Sequence, residues 1–274
     1  MTTRRATSLY ETYRASGAES YERHFVPAIG EPVARRLLEV AAPAPGERVL
    51  DVACGTGVAA RLALDLVGPD GHVTGIDANP GTLDVARSVG PERIDWVAAP
   101  AEAVPLPEGG FDLVLCSMGL QFFSDKVQAL REARRVLAPG GRIAWTTPGP
   151  TPPLFVAIDE ALTAHLGPGA SMFVHAVFSL ADPDEARTLM AAAGFEGVAV
   201  QATSIPLRVG PPAEFLWQYV QSTPLAAMAA ELDEQARADL EAEVAERGAP
   251  YVDGDATVME PGLLIATGHR GDHP

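Results

Sequence analysis

Cysteine is scarce in this chain: Cys54 and Cys116 are the only two among 274 residues. Two thiols make neither a disulfide framework nor a metal cage, and no metal site is expected. Basic side chains are also in the minority, 20 Lys and Arg against 36 Asp and Glu, for a formal net charge of −16. Nucleic-acid binding draws on Lys and Arg facing phosphates, so this balance argues against a tRNA, rRNA or DNA partner. Long apolar runs are missing as well; none reaches the length of a membrane span. Met1-Thr2-Thr3-Arg4-Arg5 opens the chain without the apolar segment of a secretory leader. A soluble cytoplasmic protein of a reducing compartment is the expectation. Alanine, proline and glycine are abundant but follow no period, so neither a repeat nor a fibrous tract is present.

What the chain does contain is 47% apolar residues, enough for a sizeable core. Residues 8–42 read as helical, interrupted near Pro27 and Gly30, with Val33, Leu37, Leu38 and Val40 on one face and Pro43 and Pro45 ending the segment. Short apolar runs then alternate with helical patterns. Strands are expected at 49–52, 73–76, 94–97, 111–116 and 142–146, and helices at 58–67, around 83–89 and at 124–137. Such alternation predicts a parallel sheet covered on both faces and joined by right-handed crossovers. After Pro148 the rhythm breaks. A helix around 154–166 precedes an irregular, glycine-rich and aromatic patch at 167–180, and a helix at 182–193 leads to a strand at 196–207. Residues 212–247 read as mostly helical, and Leu263–Thr267 as a last strand. The fold class is therefore α/β, a seven-stranded mostly parallel sheet with helices on both faces and helical cap insertions.

The most informative stretch is Val49-Leu50-Asp51-Val52-Ala53-Cys54-Gly55-Thr56-Gly57, a buried strand turning through two glycines into a helix. Such a turn lets a ligand approach bare N–H groups at a helix N-terminus. Gly55 to Ala60 satisfies the loose dinucleotide pattern G-x-G-x-x-A, a weak signal alone. Asp51 narrows it, because a carboxylate beside the turn repels a pyrophosphate and welcomes an ammonium group. Asp77, 20 residues beyond Gly57 at the end of the second strand, can take both hydroxyls of an adenosine ribose.

Taken together, Val49–Gly57 and Gly75-Ile76-Asp77 resemble motifs I and II of the class I S-adenosylmethionine-dependent methyltransferases. The stretch Pro100–Pro107 with Gly110–Val114 and the stretch Arg134–Arg142 resemble two further signatures of that family, in the same order and spacing. The resemblance is to its small-molecule branch, typified by ubiquinone and menaquinone biosynthesis enzymes, and covers 47–147 well and 182–207 more loosely. It implies a Rossmann-like fold and in-line transfer of a methyl group from S-adenosylmethionine to a small-molecule acceptor with an O, N or C nucleophile. It also implies three segments within one compact unit: an N-terminal helical cover (1–46), a cofactor-binding core (47–147), and the rest of the sheet with substrate-cap insertions (148–274).

By the same resemblance, Asp51, Ala53, Gly55, Thr56 and Gly57 hold the methionine end, Asp77 the ribose, and Ala78 the adenine face. Ala101 and Glu102 sit at the adenine rim, Cys116 and Ser117 pass the sulfonium, and Tyr21 and Phe25 belong to a covering helix. Pro100 departs from the family, which usually carries an aspartate there for the adenine amino group. Candidate acid–base or orienting residues are His24, His175 and Gln121, with His165 and Tyr219 behind them; an acidic acceptor needs no base. Phe215, Trp217 and Tyr219 suit an apolar or aromatic acceptor, although a plain helix core explains them equally well. A homodimer is compatible with this reading. Two other readings stay open: a protein of this fold that binds the cofactor as a non-methylating catalyst or binding module, and, more remotely, a NAD(P)-dependent oxidoreductase.

Overall fold

The computed structural model describes residues 15–271. Helix α1 (Ala15–Ser20) runs without a break through Tyr21–Gly30 into α2 (Glu31–Ala41). The interruption expected near Pro27 and Gly30 takes the form of a widened turn. Glu31 N–H donates to Val26 O, five residues back, and the wider winding accommodates a proline that has no N–H of its own. Residues 8–14 of the expected helix lie outside the described residues. Helix α2 buries Val33, Ala34, Leu37, Leu38 and Ala41 and stops at Ala42, which turns left-handed (φ 45°).

The alternating section follows: β1 (Arg48–Val52), α3 (Val58–Val67), β2 (His72–Asp77), α4 (Pro80–Val89), β3 (Ile94–Ala98), β4 (Phe111–Ser117), a single 3₁₀ turn at Leu120–Phe122, α5 (Lys126–Val136) and β5 (Leu137–Pro148). Strand β5 starts earlier than the expected Arg142. Its pairing with β4 skips from Phe111–Leu137 to Leu113–Arg142, and the Pro139-Gly140-Gly141 segment forms the bulge between.

The last part comprises α6 (Pro153–Leu166), α7 (Pro168–Val177), α8 (Pro183–Ala192), β6 (Glu196–Ser204), β7 (Leu207–Val209), α9 (Pro212–Gln221), α10 (Leu225–Ala229), α11 (Glu234–Gly248), β8 (Val252–Asp253), β9 (Ala256–Met259) and β10 (Gly262–His269). Helix α7 corrects the irregular patch expected at 167–180. Gly167 (φ 85°) and Pro168 read as loop signals, yet a proline at the first helical position starts a helix as readily as it ends one. The strand expected at 196–207 is likewise split, β6 entering the main sheet and β7 joining a small three-stranded sheet in the order β7-β9-β8.

The main sheet has seven strands in the order β3-β2-β1-β4-β5-β10-β6. The pairs β1–β2, β2–β3, β1–β4 and β4–β5 are parallel, while β10 runs antiparallel to both its neighbours. One face is covered by α2 and α3, whose Leu37, Leu38, Ala63 and Val67 pack on Val49, Leu113 and Leu115. The other is covered by α5 and α8, with Leu130, Ala133 and Met190 against Leu50, Val114 and Trp145. Strands covered on both faces read as continuous apolar runs. A third core, built on Leu154, Phe155, Phe173, Leu216, Tyr219 and Leu240, belongs to the cap. Strand order reverses between β1 and β4, so the crevice at their carboxyl ends is the switch point where such sheets bind ligands. Among the described residues, no helix is long and apolar enough to cross a membrane.

Candidate functional site

Three residues in left-handed conformation carry the chain from β1 into α3: Ala53 (φ 54°), Gly55 (φ 56°) and Gly57 (φ 87°). Cys54 N–H donates to Ile76 O (3.0 Å), which holds the turn against β2, and Gly57 N–H closes it on Cys54 O (2.8 Å). Gly57 must be glycine for a second reason. A Cβ there would lie 2.3 Å from the indole of Trp96, and one on Gly75 would lie 2.4 Å from the same ring. Trp96 therefore wedges on two glycines and braces the loop from β3.

Two carboxyl groups flank this turn in different states. Asp77 is satisfied: its oxygens accept from Gly55 N–H and Asn79 N–H, each at 2.9 Å. Burial raises its pKa while those two bonds oppose the rise. A carboxylate has about four lone-pair sites, so acceptor capacity remains for a pair of ligand hydroxyls. Asp51 is fully buried, and neither of its oxygens has a hydrogen-bond partner. Burial pushes its carboxyl up to about 7; the Ala60 N–H dipole opposes this, the charge of Asp77 adds to it, and Arg61 opposes it. The Thr56 hydroxyl beside it is also buried and unpartnered. A buried carboxylate without a partner is costly, so the charged form of Asp51 calls for a cation or a hydrogen-bond donor.

The widened turn covers the glycine loop. Tyr21 lies over Gly55, whose added Cβ would sit 3.9 Å from the Tyr21 ring, and Tyr21 stacks on Phe25 (4.7 Å between centroids). Burial and then the charges of Glu22, Asp77 and Asp51 hold the Tyr21 hydroxyl firmly protonated. Arg61, on the first turn of α3, ties cover to loop: it donates to Thr56 O (2.6 Å) and to Glu22 (2.7 Å).

On the opposite wall β4 ends at Cys116 and Ser117, and Met118 turns left-handed (φ 53°) with its N–H on Thr146 O (2.8 Å). A Cβ on Gly119 would lie 2.7 Å from that of Ala53, so the tips of β1 and β4 touch. Of the three described non-glycine residues with positive φ, Ala42 ends α2, while Ala53 and Met118 stand at the switch point. Cys116 is buried and its thiol pushed up to about 12, first by burial and then by Asp51, so it is no nucleophile at neutral pH. Cys54 is likewise a buried free thiol, as expected for a chain without disulfides.

Gln121, buried in the 3₁₀ turn, donates its amide to Met118 O (3.0 Å) and leaves its oxygen unpartnered. Ala78 is exposed at the end of β2, and Ala101 is buried next to Pro100, whose carbonyl accepts from Ala103 N–H (3.1 Å). Glu102 accepts from the Ser124 hydroxyl (2.8 Å) and backbone N–H (3.1 Å), bracing the approach to α5. His24 is half-buried in the cover. His175 is not brought to the crevice: its side chain is 73% exposed on the cap, 3.5 Å from Asp159. His165 pairs with Glu243 (3.0 Å). Phe215 and Tyr219 point into the cap core, whereas Trp217 faces Glu241 and lies under Arg237.

Sequence reasoning missed Arg61, Glu22 and Trp96. Glycines at 57 and 75 hinted at a bulky neighbour, but no spacing joins Glu22 to Arg61. No group of His, Cys, Asp or Glu suited to a metal occurs among the described residues.

Residues 50–145 match the model of the methyltransferase domain family. The chain is 40% identical over 147 residues to aklanonic acid methyltransferase DauC of Streptomyces sp. (strain C5), covering 49% of this chain and 67% of that protein. It is 32% identical over 183 residues to the ubiquinone/menaquinone biosynthesis C-methyltransferase UbiE of Ectopseudomonas mendocina (strain ymp), covering 60% and 71%. Matches to other UbiE proteins cover as little as 39% of their length. Among solved structures, phosphoethanolamine N-methyltransferase 2 of Haemonchus contortus, bound to phosphomonomethylethanolamine and S-adenosylhomocysteine, superposes with a TM-score of 0.61 at 18% identity, covering 96% of this chain and 59% of that one. That likeness is one of fold.

Proposed function

The chain belongs to the S-adenosylmethionine-dependent methyltransferases, and from that premise we propose that it methylates a small-molecule acceptor at the crevice between β1 and β4. The observation that carries the assignment to this site is Asp51, a buried carboxyl with two unpartnered oxygens inside a glycine turn. It fits a ligand that brings an ammonium group to that turn, and it disfavours a pyrophosphate. Asp77, with acceptor capacity to spare, suits the ribose hydroxyls.

S-adenosylmethionine supplies an already activated methyl group, so the protein's task is chiefly proximity and orientation. Asp51 and the backbone of Ala53, Gly55, Thr56 and Gly57 hold the methionine end; Ala78, Ala101 and Glu102 border the adenine; Cys116 and Ser117 line the path of the methyl. Tyr21 and Phe25 close the site against water. Gln121 orients the acceptor from the facing wall. His24, half-buried in the cover, remains a candidate base, and His175, exposed on the cap, is set aside. The segments 1–46, 47–147 and 148–274 act as cover, cofactor core and acceptor cap of one unit.

Calorimetric titration tests this reading. Saturable binding of S-adenosylhomocysteine, absent for NAD and weakened at least tenfold in Asp77→Asn, is the expected result. Heat with NAD but none with S-adenosylhomocysteine refutes it. Turnover of an acceptor without release of S-adenosylhomocysteine identifies a non-methylating catalyst instead.

A further inference from the structure

The crevice wall and the cap beside it hold buried oxygens without a hydrogen-bond partner: Gln121 Oε1 in the wall, and Asp159 Oδ1, the Tyr219 hydroxyl and Ser222 Oγ in the cap. Folded proteins pair nearly all such atoms, so a cluster of exceptions points to a missing partner. The orientation of Gln121 is fixed by chemistry. Its other amide atom meets Met118 O, which can only accept, so the nitrogen lies there and the oxygen faces away. Asp159 uses one oxygen for the Ser171 hydroxyl (3.1 Å) and keeps the other buried. Tyr219, 3% exposed, is walled by Phe155, Phe173 and Phe215 with ring centroids 5.4, 6.3 and 6.2 Å away. Phe173 in turn stacks on Phe122 (6.4 Å, 9° between planes), the neighbour of Gln121. A strip of aromatic rings therefore runs from the switch-point crevice to Tyr219, with unpartnered oxygens at both ends. Burial and the charge of Asp159 keep the Tyr219 hydroxyl protonated, so it can donate as well as accept.

We propose that Gln121, Asp159 and Tyr219 are acceptor-recognition residues that select a flat aromatic molecule carrying hydroxyl groups at separated positions. Its role as methyl acceptor rests on the function proposed above. The Gln121 and Asp159 oxygens can only accept, so the ligand must bring O–H or N–H donors. The rings between them favour a rigid apolar body. A compact aliphatic cation would satisfy one end and leave the other unpaired.

The test uses the full chain and the intrinsic fluorescence of 2,7-dihydroxynaphthalene, titrated with and without S-adenosylhomocysteine; naphthalene and choline are the comparators. One neutral hydrogen bond is worth up to about tenfold in affinity. The diol is expected to bind at least tenfold tighter than naphthalene. Tyr219→Phe and Gln121→Met are each expected to lower diol affinity five- to tenfold, with naphthalene and S-adenosylhomocysteine binding unchanged. Tyr219→Phe removes only an unpartnered hydroxyl, and circular dichroism verifies that both variants fold. Equal affinity for diol and naphthalene, tighter binding of choline, or variants that keep the wild-type diol preference overturns the proposal. S-adenosylhomocysteine binding is followed separately, so its loss in the wild type counts against the methyltransferase function while the diol ratio decides recognition.

Discussion

Replacing Asp51 by asparagine should stabilise the ligand-free protein and weaken its hold on cofactor, by amounts that depend on pH. The carboxyl is fully buried without a hydrogen-bond partner, and its pKa stands at about 7 against an ordinary 3.8. Between those two values the folded protein holds a proton that the unfolded chain has released. Stability contributed by this group is therefore complete below pH 4, falls by about 1.4 kcal/mol per pH unit, and levels off above pH 7. The full loss is about 4 kcal/mol, an upper bound because water and relaxation soften buried charges. Asparagine, close in shape and never charged, removes that loss.

Urea denaturation of wild type and Asp51→Asn from pH 4.5 to 8 reads the effect together with the coupling of Asp51 to Asp77, since groups that do not interact with Asp51 cancel in the difference. The variant should be little changed at the acid end and more stable by several kcal/mol at pH 8. Cofactor binding should show the reverse: S-adenosylhomocysteine affinity drops at least tenfold in the variant. Wild-type binding below pH 7 should release a proton, seen as a dependence of the binding heat on the buffer's ionisation enthalpy. A stability difference that stays flat with pH, or affinity unaltered by the substitution, refutes the reasoning.

Gly57→Ala combines a left-handed backbone (φ 87°) with a Cβ placed 2.3 Å from Trp96, for a cost of roughly 2–5 kcal/mol. In a Trp96→Leu background only the backbone part should remain, so a double-mutant cycle that finds an undiminished penalty denies the wedge. Glu22→Gln discharges the partner of Arg61 in a half-buried pair; a loss of about 1 kcal/mol predicts S-adenosylhomocysteine dissociating roughly fivefold faster by stopped flow, with acceptor-side binding unaffected.

The parallel core was legible because its signals are local. The runs around Val49, Val73 and Ile143 are apolar on both faces, and glycine turns punctuate the strands, so the bounds of α3 fall where the reading puts them. The cap was less legible because its signals compete. Pro168-Gly169-Ala170-Ser171 reads as a loop, yet Pro168 opens α7, whose Phe173 and Val174 are then buried against α6 and α9. The short strands β7 and β9 pair across an intervening stretch that includes three helices, a contact no local pattern encodes. The glycine turn and the carboxyl groups of Asp51 and Asp77 beside it were visible through motif spacing. Asp159 drew no notice, because an aspartate on an apolar helix has no signature until the fold brings its charge to the Tyr219 hydroxyl.

The two ends of the sheet are built on opposite principles. At the amino ends of β1 and β4, Arg48 grips Asp112 (2.7 Å), and Arg142 grips Glu47 (2.7 Å) while donating to the carbonyls of Ala41 and Ala42 (2.8 Å each). Hydrogen bonds from those arginines hold Glu47 and Asp112 below the ordinary carboxylate range, so their contribution is present at neutral pH and is lost as pH falls through the lowered values. At the carboxyl ends Asp51 is raised, Ala53 and Met118 are strained, and Thr56 and Gln121 lack partners. Carboxylates at opposite ends of the same strands thus work in opposite pH directions. Ligand binding should reverse only one of them, because a cation beside Asp51 favours its charged form while leaving the arginine-paired end untouched. The cofactor-bound protein should accordingly gain most stability over its ligand-free form above pH 7, and a thermal-shift difference that grows towards acid pH would contradict that assignment.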